Sequence, residues 1–135
     1  MKCLIFDCKS FSYTLDHPTP VAEAGTQNAV HSFSKCLVLL ACIEQNDNEE
    51  KMRVASIDIA KIARELERHE IVLNPFAHLA NSLAKPRIAI SLLKELATQL
   101  SAGNNFNVHC CPFGWYKAFD FSVLGHGSSQ LFRSF

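Results

Sequence analysis

Hydrophobic and polar positions change period several times along the chain, and each change marks a new element. Residues 3–8 form a short apolar run, while residues 11–15 alternate Phe11, Tyr13 and Leu15 against Ser12 and Thr14. Both read as strands, with Lys9-Ser10 as the tight connection of a hairpin. Residues 16–32 carry two prolines, one glycine and mostly polar side chains, which predicts a long surface loop. A connection of that length in a small domain is either mobile or functional. Residues 36–44 (CLVLLACIE) are almost continuously apolar and suit a buried central strand, and 45–50 make a polar turn.

The period then lengthens. Met52, Ala55, Ile59, Ile62, Ala63 and Leu66 recur at steps of three and four, with Lys61, Arg64, Glu65 and Arg68 on the other face, so 48–69 is predicted to be an amphipathic helix. Residues 70–74 make a short β-branched strand that ends at Pro75. A second helix over 86–102 has Pro86 in its first turn and Gly103 beyond its end. Its buried stripe is Ile88 or Ala89 with Leu92, Leu93, Leu96 and Leu100. Residues 105–110 and 116–124 read as strands separated by Cys111-Pro112-Phe113-Gly114-Trp115. The alternation gives an α/β fold of mixed α+β layers, two main helices packed on a sheet, as one domain over 1–135.

Composition narrows the function classes. The 135 residues are 48% hydrophobic and 19% charged, enough apolar content for a core. Thirteen basic and thirteen acidic residues cancel, which excludes nucleic-acid binding by bulk positive charge; any such contact must be a local patch. No apolar run approaches the length of a membrane span, and Asp7 interrupts the opening apolar run before it could serve as a signal peptide. A cytoplasmic protein without a membrane is expected. The six cysteines contain no C-x-x-C pair and read as reduced, structural thiols. His109, Cys110 and Cys111 suggest a metal site, but neighbours on a strand point to opposite faces, so no metal or other cofactor is expected.

Two segments exceed what a scaffold needs. Asn74-Pro75-Phe76-Ala77-His78-Leu79 follows a strand and leads through Leu83-Ala84-Lys85-Pro86 into a helix, a frequent place for ligands in layered α/β folds. Pro112-Phe113-Gly114-Trp115-Tyr116-Lys117-Ala118-Phe119 sets a lysine among four aromatics. An ammonium in apolar surroundings tends to a lowered pKa, which suits acid–base or electrostatic work. The plainer readings are a hydrogen-bonded structural histidine and a solvent-facing lysine. From spacing alone the two segments support a ligand-binding cleft and nothing sharper.

The segments NPFAHLANSLAKP and PFGWYKAF, their order and the helix between them resemble the archaeal-type threonyl-tRNA synthetase editing domain, over nearly the whole chain as far as Gly125-His126. The resemblance implies a D-aminoacyl-tRNA deacylase-like fold and a proofreading hydrolase that removes L-serine mischarged on threonine tRNA, in cis or in trans to a synthetase. It implies Lys117 and His78 as catalytic residues. Ile43, Pro75, Phe76, Ala77, Pro112, Phe113, Gly114 and Tyr116 would bind the substrate, with Ile43 meeting the amino group through its backbone and Tyr116 near the terminal adenosine. The family is also thought to use the 2′-hydroxyl of that adenosine. Where the family often carries a glutamate partnering the lysine, this chain has Gln130, which offers only a neutral hydrogen bond.

The partners so implied are the acceptor end of tRNA(Thr) carrying serine, a threonyl-tRNA synthetase catalytic domain or separate catalytic protein, and a second copy in a homodimer. Lys85, Arg87, Lys94 and Lys117 would offer a modest patch to the RNA phosphates. Three alternatives stand beside this reading. They are a D-aminoacyl-tRNA deacylase, a non-catalytic module binding tRNA ends or amino acid, and a cysteine hydrolase built on His109-Cys110-Cys111.

Overall fold

The computed structural model describes residues 1–103 and 105–135. Its strands are β1 (Lys2–Pro18), β2 (Val30–Cys42), β3 (Glu70–Pro75), β4 (Asn107–Cys110), β5 (Trp115–Val123) and β6 (Gln130–Ser134); its helices are α1 (Glu49–Glu65) and α2 (Pro86–Ser101). They form one sheet in the order β4-β3-β2-β1-β5, with β6 also on β1. The pairs β2–β3 and β3–β4 are parallel, and β1 is antiparallel to β2, β5 and β6. Because α1 and α2 make successive crossovers in the same direction along the sheet, the right-handed rule sends both to one face. There Met52, Ala55, Ile59 and Ala63 of α1 and Leu92, Leu93, Leu96 and Leu100 of α2 pack on Ile5, Leu37, Leu39, Ile71 and Leu73.

Local signals set the helix limits. Asn48 caps α1 by accepting from the Lys51 N–H (3.0 Å), and Glu49 and Glu50 occupy the first turn. Glu67 ends it in a left-handed conformation (φ 55°), with the Arg68 N–H on the Ala63 carbonyl. That closure delivers Arg68 to the buried Asp7, which also bonds His126 Nε2 (2.9 Å).

The predicted hairpin at Lys9-Ser10 is not formed. Residues 2–18 are one continuous strand whose pairing to β5 shifts register between Cys8 and Ser10. Cys3 and Ile5 face the helices, whereas Cys8, Phe11, Tyr13 and Leu15 face the opposite side; β2 changes face likewise between Phe33 and Cys36, with Lys35 at φ 49°. Pairing of β1 with β2 keeps one register across the slip, from Lys2↔Cys42 to Thr14↔Val30. A bulge therefore changes the phase of the hydrophobic pattern as a turn would, without reversing the chain. The result is a second apolar cluster on the helix-free face, built from Phe11, Tyr13, Leu15, Val38, Leu40 and Val72 with Phe119 and Trp115. β6 was not predicted; it fills the edge of β1 that β5 leaves open, opposite residues 2–6.

Candidate active site

Parallel β2 and β3 end side by side, and their carboxyl ends open into a cavity of about 500 Å³. This is within the size range of small-molecule sites. Ala41, Cys42 and Ile43 come from the end of β2; Asn74, Pro75 and Phe76 come from β3 and its exit. The Phe76 N–H bonds the Ala41 carbonyl (2.9 Å) and the Ala84 N–H bonds the Ile43 carbonyl (3.1 Å), so the segment is tied at 76 and at 84 to the end of β2 and the residue after it. Between those ties Ala77–Leu79 forms one 3₁₀ turn, where the exposed His78 ring stands edge-on to Phe76 at 5.1 Å. Phe113, Gly114, Trp115, Tyr116, Lys117 and Phe119 close the opposite wall.

The predicted loop is shorter than expected, 19–29, and it is fastened to that wall. Thr19 bonds the Gly114 carbonyl through both its N–H (2.8 Å) and its hydroxyl (2.6 Å). The Trp115 indole donates to the Glu23 carbonyl (2.8 Å). Gly114 sits at φ +74°, and a Cβ there would lie 2.8 Å from the Val21 oxygen and the Ala22 Cα. Glycine is required at this turn on both counts. Thr19 and Val21 thereby become part of the cavity wall.

Lys117 is half-buried, and its Nζ lies 3.4 Å from the Trp115 carbonyl. Burial pushes its pKa down, opposed by Cys111 and Glu23. Burial also pushes the Cys111 thiol up to about 12, so at neutral pH it carries no charge and Glu23 supplies the negative field. Burial would raise the Glu23 pKa, but the Lys94 ammonium (2.8 Å), the Phe113 N–H and Lys117 hold it below its ordinary value. A lysine in this setting can donate to a developing oxyanion or exchange a proton with water.

The expected site residues Lys117, His78, Ile43, Pro75, Phe76, Ala77, Phe113, Gly114 and Tyr116 all line this one cavity. Two do not. Pro112 is half-buried next to the wall without lining it. Gln130 is exposed on β6 opposite Phe6, whereas Lys117 is opposite Leu15. Their partners are nine positions apart on β1, and Gln130 does not line the cavity. The stretch following Gly125-His126 serves Asp7 instead: the Asp7 N–H donates to the Ser129 carbonyl and His126 bonds the carboxylate.

Lys94 leaves the expected phosphate patch, because its ammonium is committed to Glu23. His109 bonds Glu70 (2.7 Å) and packs on Phe33, and Cys111 is a buried high-pKa thiol, so the stretch suggested for a cysteine hydrolase is not arranged as one. Glu23 and the part played by the Asn74 side chain emerge only from the structure. Glu23 has no signal beyond lying in an overlong loop, and Asn74 opens the 74–79 segment without being named as a site residue.

The sheet order with both helices on one face is a D-aminoacyl-tRNA deacylase-like architecture. The solved c-Myc DNA unwinding element binding protein matches it with a TM-score of 0.73 over 99% of this chain and 98% of its own, at 12% identity, a likeness of fold alone. The family model of the archaea-specific editing domain of threonyl-tRNA synthetase matches residues 1–135, and the chain belongs to that family of aminoacyl-tRNA deacylase domains. The threonine–tRNA ligase of Methanobrevibacter smithii is 34% identical over 141 residues, covering 99% of this chain. That of Methanocaldococcus jannaschii is 34% identical over 136 residues, covering 98%. The chain spans 22% of the length of each. No described helix is long and apolar enough to cross a membrane.

Proposed function

We propose that this chain hydrolyses the ester between L-serine and the acceptor end of tRNA(Thr), in cis or in trans to a threonyl-tRNA synthetase. The observation that carries the reading is Lys117, held half-buried with a lowered pKa in the cavity at the strand ends. Serine and threonine differ by one methyl, worth only about 1–3 kcal/mol in a binding pocket, so a synthetic site cannot fully exclude the smaller one. A second site that admits serine and clashes with the extra methyl completes the discrimination.

An aminoacyl ester is already activated, so little chemical power is needed. Water adds to the ester carbonyl carbon, the bond to the ribose oxygen breaks, and free serine and a ribose hydroxyl are released. Lys117 stabilises the oxyanion and positions the water, and His78 at the rim meets the incoming end. Ile43, Pro75, Phe76 and Ala77 surround the amino acid, while Phe113, Gly114 and Tyr116 receive the adenosine. Association into a homodimer belongs to the same reading and is checked by light scattering.

The test is deacylation of seryl- against threonyl-tRNA(Thr). Rapid loss of serine with threonine retained is expected; equal rates would sink the assignment. The fold favours one second reading, a D-aminoacyl ester preference, and L-seryl against D-seryl-tRNA separates the two.

A further inference from the structure

Among the described residues, Asn74 Oδ1 is the single buried side-chain nitrogen or oxygen without a hydrogen-bond partner. Asn74 is 1% exposed and lines the cavity that holds Lys117. Its Nδ2 is spent on the Pro75 carbonyl (3.2 Å), so what the amide still offers is an acceptor. It lies opposite Leu40 in β3–β2 pairing, on the sheet face of Val72 and Leu40. Hydrophobic side chains are what this position would ordinarily take. A buried acceptor left unmatched is costly, and such a group on a residue that lines a cavity points to a donor brought by the ligand.

We infer that Asn74 is a specificity-determining residue whose Oδ1 accepts a hydrogen bond from the side-chain hydroxyl of the bound amino acid. This rests on the proposed serine-ester hydrolysis. A hydroxyl matches the site better than the α-ammonium does. An ammonium needs several acceptors or a counter-charge, and among the described residues no carboxylate lines the cavity. A hydroxyl brings one donor to one neutral acceptor. The two parts of the site then divide the recognition. The wall rejects the threonine methyl, and Asn74 separates serine from amino acids of its size that lack oxygen, such as alanine. Threonine carries the same hydroxyl and is not distinguished by Asn74.

The experiment compares seryl- and alanyl-tRNA(Thr) as substrates of the wild type and of Asn74→Leu, an apolar replacement of similar shape. The wild type is expected to favour the seryl ester in kcat/KM by roughly tenfold or more, the usual size of one neutral hydrogen bond made to a buried group. In Asn74→Leu the ratio should collapse towards one, with a melting temperature at or above the wild type's because an unmatched acceptor has gone. An unchanged ratio, or an equal fall for both esters, as an ammonium contact would give, overturns the inference. Should the variant not fold, wild-type affinities for non-hydrolysable seryl- and alanyl-amide analogues of 3′-aminoadenosine decide. About tenfold tighter seryl binding supports the inference, and equal binding overturns it. If the wild type cleaves neither ester, the proposed function fails instead, and the binding comparison still judges Asn74.

Discussion

Glu23 and Phe113 are bonded to each other twice: the Glu23 N–H donates to the Phe113 carbonyl (3.0 Å), and the Phe113 N–H donates to the Glu23 carboxylate (3.0 Å). This joins the loop after β1 to the turn that opens β5, four residues before Lys117. It also fixes a carboxylate in the field of the lysine, with the neighbouring Cys111 thiol uncharged at neutral pH. Glu23 therefore acts on the reaction through Lys117 and is a positioning residue.

From this follows a pH effect with a defined sign. Burial lowers the Lys117 pKa, and the Glu23 charge opposes that shift. Glu23→Gln keeps an acceptor for the Phe113 N–H but removes the charge, so the Lys117 pKa falls further. The limb of the pH–rate profile that reports Lys117 moves to lower pH, whichever protonation state is active. Deacylation rates measured from pH 5 to 10 check this, and a limb that stays put would show that Glu23 only braces the loop.

Lys117 itself trades stability for chemistry. Its folded pKa lies below the ordinary value of 10.5, so between the two the unfolded chain binds more protons. Stability then rises with pH through that window, and the burial penalty is present in full below the folded pKa. Lys117→Met removes the charge and keeps the apolar stem. Hydrolysis should fall by about 100-fold or more, the usual contribution of a general acid–base group. The melting temperature at pH 7 should rise, and the gain over wild type should shrink as pH approaches 10.5. A variant that is both inactive and less stable would indicate a structural lysine.

Much of this architecture was legible because period and punctuation agree. Both helices lie within a few residues of where the three-to-four spacing puts them, and Pro86 and Asn48 mark their starts. The hairpin error arose because a bulge and a turn both change the hydrophobic phase, and only long-range pairing tells them apart. β6 escaped because Leu131, Arg133 and Phe135 alternate over too few residues, and it owes its form to the free edge of β1. The two site motifs were legible as contiguous segments. Glu23 and the role of Asn74 within its motif were not, since a carboxylate in a loop and an amide at a strand end acquire meaning only from what folds against them.

The 113–115 turn gives a test of the clamp between loop and wall. Gly114 has φ +74°, and a methyl group there would fall 2.8 Å from the Val21 oxygen and the Ala22 Cα, which are backbone atoms with little freedom to move aside. Gly114→Ala should cost about 1–3 kcal/mol through the strained backbone. It should also loosen residues 19–23 from the cavity wall, raising KM more than it lowers kcat. Urea unfolding and steady-state deacylation check the two parts. A variant with native stability and native KM would mean that the loop is not held by this turn.

Just beyond the end of β2, Asp47 holds the first residue of the chain. Its side chain is fully buried and accepts from the Met1 ammonium (2.6 Å), the Glu44 N–H (2.7 Å) and the Lys51 ammonium (3.0 Å). Burial by itself would raise its pKa, but the Met1 ammonium, the Glu44 N–H and Lys51 together hold it below the ordinary carboxylate value. The folded state thus binds a proton more weakly than the unfolded chain, so this stabilisation is complete above the unfolded pKa and is lost as pH falls through the folded one. Asp47→Asn leaves the buried Met1 ammonium without that counter-charge, with Glu44 at 3.3 Å as the remaining carboxylate. Breaking one side of a buried pair costs about 3–5 kcal/mol, and the exposure of Lys51 and Glu44 sets the expected loss at the lower end. Denaturant unfolding at pH 7 and at pH 3 separates the contributions. The wild type's advantage over the variant should be smaller at pH 3, below the ordinary Asp value of 3.8, than at pH 7, whereas the same difference at both pH values would mean that the Asp47 charge contributes nothing and its hydrogen bonds everything.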